Sequence, residues 1–228
     1  MAERDGFMDY LNEWLEINEA REKMYRLLAR FYRIEADEEM LEQLAQMKFP
    51  QDCPREMAEG YKLLQAAVSA RDDKMLENLA VDYARVFLGA GIINFDAAYP
   101  YESVYLSEKK LIMQEPRDEV VTFYRSCGVD RSHELSEPED HIAFELEFMA
   151  YLCGEAAEFA RQGNEAKMQQ SLNRQQEFLQ KHLLKWQERF CNDVLKYAGT
   201  DFYRGAARIT GSYLAMEGAL LNDEAMSA

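Results

Sequence analysis

Apolar residues along this chain recur at steps of three, four and seven, the spacing of one face of an α-helix. Ile17, Met24, Leu27, Leu28 and Phe31 predict a helix over about residues 12–32. Asp37 is placed to cap a second helix that buries Met40, Leu41, Leu44 and Met47. Pro54 suits the first turn of a third, with Met57, Tyr61, Leu64 and Val68 on one stripe. Asp72 or Asp73 opens a fourth through Met75, Leu79, Tyr83, Val86 and Phe87, and Gly89 closes it.

Residues 89–105 lose the period. They hold Gly89, Gly91 and Pro100 and read as a long loop, a feature that compact domains often put to use. A helix returns over about 116–127 on Val120, Val121, Phe123 and Tyr124, stopping at Gly128. The polar run 130–136 then reads as a hinge. Ser136-Glu137-Pro138-Glu139 has the form of a capping box with proline in the first turn, which predicts a helix start there. Ile142, Leu146, Met149, Cys153 and Ala156 mark one face of that helix, and Phe144, Phe148, Tyr151 and Leu152 widen it. A helix apolar nearly all round belongs at the centre of a bundle. Gly163 ends it; Met168, Leu172, Leu179, Leu183, Trp186, Phe190 and Val194 outline the next helix or pair, and a last one runs from about 201 to 220. No alternating Val, Ile and Thr run of the kind a sheet needs is present. The expectation is an all-α bundle of about ten helices, a larger part over 1–129 and a smaller one over 137–228.

Charge narrows the function. The 228 residues carry 26 Lys plus Arg against 42 Asp plus Glu, a net charge of −16 that repels phosphate backbones and anionic membrane surfaces. The same charge would steer a basic ligand inward, or simply keep the protein soluble. Thirteen Tyr and twelve Phe exclude a disordered acidic chain. The first sixteen residues mix acids with apolar positions and lack the basic flank of a signal peptide. Nothing approaches a membrane span. Cys53, Cys127, Cys153 and Cys191 form no close pair and fit free thiols in a reducing cytoplasm.

Catalytic templates do not fit. His141 stands four residues after Glu137 and four before Glu145, but a di-iron bundle needs Glu-x-x-His twice, and Pro138 occupies the position three before His141. No nucleophile elbow or phosphate loop is present; Gly89-Ala90-Gly91 is not followed by Gly-Lys-Ser/Thr. The reading is of a protein with no metal, no cofactor and no catalytic residues.

Two local clusters stand out: Tyr99-Pro100-Tyr101-Glu102-Ser103-Val104-Tyr105 in the long loop, and Glu137-Pro138-Glu139-Asp140-His141 before the central helix. In a first helical turn Asp140 is favoured by the macrodipole and protonated His141 is not. His141 is therefore expected neutral, free to accept a hydrogen bond from a guanidinium or a backbone N–H. Helix capping and loop packing account for the same residues equally well.

These clusters carry a resemblance. The chain resembles the TorD/DmsD family of redox-enzyme maturation chaperones, whose first signature leads from an aromatic–Leu/Phe–Gly-Pro segment to Pro-x-Glu-Ser-Val-Tyr. Here it stands as Tyr83-Ala-Arg-Val86-Phe87-Leu88-Gly89-Ala90, then Pro100-Tyr101-Glu102-Ser103-Val104-Tyr105. The second, Glu-Pro-x-Asp-His before a Leu-rich stretch, stands as residues 137–141 followed by Leu146, Met149, Ala150 and Leu152. The later His182-Leu-x-x-Trp186 element is similar as well. Ala90 departs from the expected proline, and the stretch from Gly89 to Pro100 is longer than the pattern.

The resemblance implies a cytoplasmic chaperone that binds the twin-arginine leader peptide, and the apo body, of a molybdopterin oxidoreductase before export. It implies a monomer, or a dimer that exchanges halves through a hinge at 130–136. The peptide-binding residues it implies are Tyr101, Glu102, Ser103 and Tyr105 of the first cluster and Glu137, Pro138, Asp140 and His141 of the second, with Tyr99 and Pro100 beside them. Acids would take guanidiniums through charge-assisted bonds, and tyrosines would cover the apolar part of a leader. The competing readings are a helical scaffold for folded partners only, and a nucleotide- or metal-dependent enzyme.

Overall fold

A computed structural model describes residues 2–50, 52–92, 96–130 and 137–227. His133, Ser136 and all of the expected hinge but Asp130 lie outside the described residues. In chain order the elements are α1 (Ala2–Arg33), α2 (Glu38–Gln46), α3 (Arg55–Ser69), α4 (Met75–Leu88), α5 (Glu102–Leu106), α6 (Glu115–Ser126), α7 (Ile142–Arg161), α8 (Glu165–Phe178), α9 (Leu184–Tyr197) and α10 (Asp201–Ser227). One π-helical turn, Leu179–Leu183, joins α8 to α9. Among the described residues there is no strand, and the all-α expectation holds.

Local chemistry sets most boundaries. Asp37 caps α2 by accepting the Met40 N–H at 2.9 Å. Gly89, Gly128 and Gly163 adopt the left-handed conformation after α4, α6 and α7, where a side chain would be strained.

The start of α7 corrects the capping-box expectation. The helix begins at Ile142, not near Glu137, and His141 is its N-cap, Nδ1 accepting the Ala143 N–H at 3.1 Å. Residues 138–141 instead form a turn, the His141 N–H donating to the Pro138 carbonyl at 3.2 Å, and His141 leaves it in an antiparallel bridge with Tyr101, a tertiary pairing that local sequence does not reveal.

The central α7 buries Ile142, Leu146, Met149, Leu152, Cys153 and Ala156. Its most extensive partner is α1, and α3 packs most closely on α10, so elements from both ends of the sequence interleave. Gly60 and Gly205 make the α3–α10 crossing close: a Cβ on Gly60 would stand 2.8 Å from the Gly205 carbonyl oxygen. Tyr32, Phe87, Phe190 and Tyr203 join α1, α4, α9 and α10 through edge-on rings, with Tyr32–Phe190 centroids at 5.2 Å and Phe87–Tyr203 at 5.3 Å. A second ring cluster, Phe123, Tyr124, Phe148 and Phe178, locks α6 onto α7 and α8.

Buried charge is paired. Arg21 of α1 and Glu217 of α10 bond at 2.7 Å, and the Tyr25 hydroxyl donates to the same carboxylate at 2.8 Å. Breaking one partner of such a pair strands a charge in the core.

Candidate functional site: a clasp between two motifs and the recesses beside it

The two sequence clusters meet. The Glu102 N–H donates to the Asp140 carbonyl at 2.9 Å, and the Ile142 N–H donates to the Pro100 carbonyl at 2.8 Å. Asp140 Oδ2 accepts the Ser103 N–H at 2.8 Å. Thus the second cluster caps α5, while the first satisfies one of the orphan N–H groups that open α7. The Tyr101 ring stands edge-on to His141 at 5.1 Å, and its hydroxyl donates to Glu137.

Most of this clasp is closed to solvent. Glu102 is 1% exposed, Asp140 0% and His141 4%, so all three side chains are buried within the clasp. Burial, with a contribution from the Arg33 charge, lowers the His141 imidazole to about 3, as a neutral, hydrogen-bond-accepting cap requires. Of the two partners expected for it, the backbone N–H is the one found.

Behind the clasp lies a buried acid pair. His182, in the π-turn, places Nδ1 at 3.1 Å from Glu102 Oε2. One turn on, Trp186 Nε1 donates to Glu145 Oε2 at 3.2 Å. Glu145 Oε1 meets no donor. Burial first, then the neighbouring Glu102 charge, push the Glu145 carboxyl well above its usual range. Both effects favour the neutral form of Glu145 beside Glu102. The π-turn aims His182 at Glu102; such turns often mark functional segments. Despite this gathering of acids and histidine, no group of three or more potential ligands among the described residues is arranged to hold a metal ion.

Two recesses open beside the clasp. The first, about 670 Å³, runs between α6 and the α8–π–α9 rod and is lined by Glu115, Asp118, Glu119, Phe123, Glu177, Lys181, His182 and Lys185. Glu115, Asp118 and Glu119 share one face of α6 at steps of three and four, exposed to solvent. Asp118 pairs with Arg117 at 3.0 Å and Glu177 with Lys181 at 2.5 Å. Glu115 and Glu119 form no ion pair among the described residues. His182 lines this groove on one side and touches Glu102 on the other, linking the wall to the clasp.

The second recess, about 600 Å³, is lined by Ala97, Tyr99, Val104, Tyr105, Lys109, Lys110, Arg189, Asn192 and Asp193. Tyr105 is stacked on Trp186 with centroids at 5.4 Å and donates to Asp193 Oδ2 at 3.1 Å. The Tyr99 hydroxyl occupies the space a Cβ on Gly89 would take, which ties the loop to the end of α4.

The expected site residues therefore divide. Pro100, Tyr101, Glu102, Ser103, Asp140 and His141 form the buried clasp, and Glu137 and Pro138 lie half-buried at its edge. Tyr99 and Tyr105 turn into the second recess. The acids that do face solvent, Glu115, Asp118 and Glu119, were not among the expected residues. Their spacing was visible, but Glu115 and Asp118 in the first turn of α6 are explained by the macrodipole, and Glu119 by an ordinary solvated helix face.

Known proteins match this chain in sequence and in fold. The family model described as nitrate reductase delta subunit matches residues 51–192. A "Chaperone protein TorD" from Vibrio cholerae is 32% identical over 144 residues, covering 63% of this chain and 62% of its own. The chain thus spans less than two thirds of that relative's length. A "Chaperone protein TorD" from Vibrio vulnificus is 26% identical over 215 residues, covering 91% and 97%. A crystal structure from Archaeoglobus fulgidus, described as a redox enzyme maturation protein, shares the fold with a TM-score of 0.51 at 22% identity, covering 86% of this chain and 93% of its own.

Proposed function

The chain belongs to the nitrate reductase delta subunit family, into which the TorD chaperones fall, and from that premise we propose that it is a cytoplasmic chaperone that binds the twin-arginine leader and apo body of a molybdopterin oxidoreductase before export. It is a chaperone of redox-enzyme maturation, not a catalyst. No described helix is long and apolar enough to cross a membrane.

The observation that carries the leader reading is the first recess. Its exposed Glu115, Asp118 and Glu119 offer carboxylates to two guanidiniums, and the Phe123 ring beside them offers an apolar face to the residue that follows. The clasp sets the wall's position through Glu102 and His182, so the motif residues act on the leader by placing the groove. Exchange of halves between two copies, with 130–136 as the hinge, would remake the α1–α7 and α3–α10 contacts between chains.

Titrating a synthetic twin-arginine leader into the protein by calorimetry tests this. Micromolar binding that weakens when both arginines become glutamine is expected; no heat at those concentrations overturns it.

A further inference from the structure

The second recess has the wrong sign for an arginine-rich guest. Lys109, Lys110 and Arg189 converge on it in a chain of net charge −16. Its one carboxylate, Asp193, already holds the Tyr105 hydroxyl at 3.1 Å. Among the described residues none of the three cations is in an ion pair. Arg189 donates to the Lys185 carbonyl at 3.5 Å and stands 5.9 Å from the Tyr105 ring centroid. Three cations against one carboxylate, gathered around two tyrosine rings, favour a guest that brings carboxylates.

The turn that carries the lysines is held in shape. Lys110 and Met113 adopt positive φ, 51° and 59°, a conformation that side chains resist. Gln114 fixes them: its backbone N–H donates to Ser103 Oγ at 3.2 Å, and its side-chain amide donates to the carbonyls of Ile112 at 2.9 Å and Met113 at 3.1 Å. The result is to hold Leu111, Ile112 and Met113 outward, 50%, 47% and 54% exposed, beside the two lysines. Large apolar side chains displayed together on a braced turn mark a contact surface. Through Ser103 the turn is fastened to the clasp.

We propose that this recess and the 107–114 turn form a second docking surface, for a client segment in which carboxylates stand beside large apolar side chains. The identification of that segment's owner rests on the chaperone reading above; the leader, being cationic, is directed to the acidic groove and the acidic segment to this one. A lipid surface would also meet lysines and apolar side chains. The recess, however, is concave, and the net charge of −16 opposes an anionic bilayer, so a peptide fits better.

The test uses the full chain and four probes: a rhodamine-labelled peptide of alternating Glu and Leu/Phe, its Lys counterpart, a twin-arginine leader, and phosphatidylcholine vesicles containing phosphatidylserine. The Glu peptide should bind, and Lys109→Glu with Lys110→Glu and Arg189→Glu should weaken it roughly tenfold or more while leader affinity stays unchanged. Ile112→Ser, which alters no charge, should weaken the same peptide with helicity retained. Equal binding of the Lys peptide, indifference of the Glu peptide to charge reversal, or binding to vesicles alone overturns the proposal. Failure of the leader to bind while the Glu peptide still does would instead sink the leader reading and leave this surface standing.

Discussion

Glu102 and Asp140, 38 positions apart in sequence, are joined main chain to main chain: the Glu102 N–H meets the Asp140 carbonyl at 2.9 Å. Asp140 then spends its side chain on the next N–H, that of Ser103, at 2.8 Å. Each motif finishes the start of the other's helix.

Asp140→Ala removes the acceptor for a buried N–H and should cost about 1–3 kcal/mol in urea unfolding. Asp140→Asn keeps an acceptor oxygen and should cost less. Equal losses would argue that capping is not what Asp140 does.

Charge in the acidic groove can be altered without touching the core. Glu115→Lys with Glu119→Lys should weaken a twin-arginine leader roughly tenfold at low salt, and the difference should shrink as salt rises. Stability should stay within about 0.5 kcal/mol, because both residues are exposed. Unchanged leader affinity at both ionic strengths would remove this groove from the binding path.

Two buried groups give opposite pH dependences. Glu145 has a raised folded pKa, so its contribution is complete below the unfolded value of about 4.3 and is lost as pH rises through the folded one. Glu145→Gln keeps the size of the side chain, carries no charge at any pH and should flatten the decline in stability above pH 5. His141 is depressed to about 3, so its contribution is present above 6.5 and lost as pH falls toward 3. His141→Asn retains an acceptor and should reduce the acid-side slope over that window. Urea unfolding at a series of pH values reads both.

At the α3–α10 crossing, Gly60→Ala places a Cβ 2.7 Å from Ile209 Cγ1 and 2.8 Å from the Gly205 carbonyl oxygen. Overpacking of this kind should cost about 1–3 kcal/mol. Gly6→Ala, with nothing within 4 Å, is the control and should be neutral or slightly stabilising. Thermal unfolding compares them, and equal melting temperatures would mean the helices move apart freely.

Helix positions were legible wherever a cap or stop was local. Asp37 before α2, Gly89 after α4 and Gly163 after α7 each act through atoms within a few residues. The start of α7 was not, because the 138–141 turn and the Tyr101–His141 bridge that follows it hold the chain out of the helix against a capping-box pattern. The site was half legible. That the two clusters matter could be read from them, but which of their acids would be buried depends on α5, α7 and the π-turn meeting in three dimensions. Glu145 and His182, 37 positions apart, acquire their roles only there.

The braiding of the two motifs bears on how variants of this protein sort in a screen for lost client recovery. Alterations at Glu102, Asp140 or His141 would score as strongly as true contact residues, because unfastening the strap lets α5, α6 and the groove wall drift together. Pairing each such screen with a readout of folded protein separates the seam from the surface it supports.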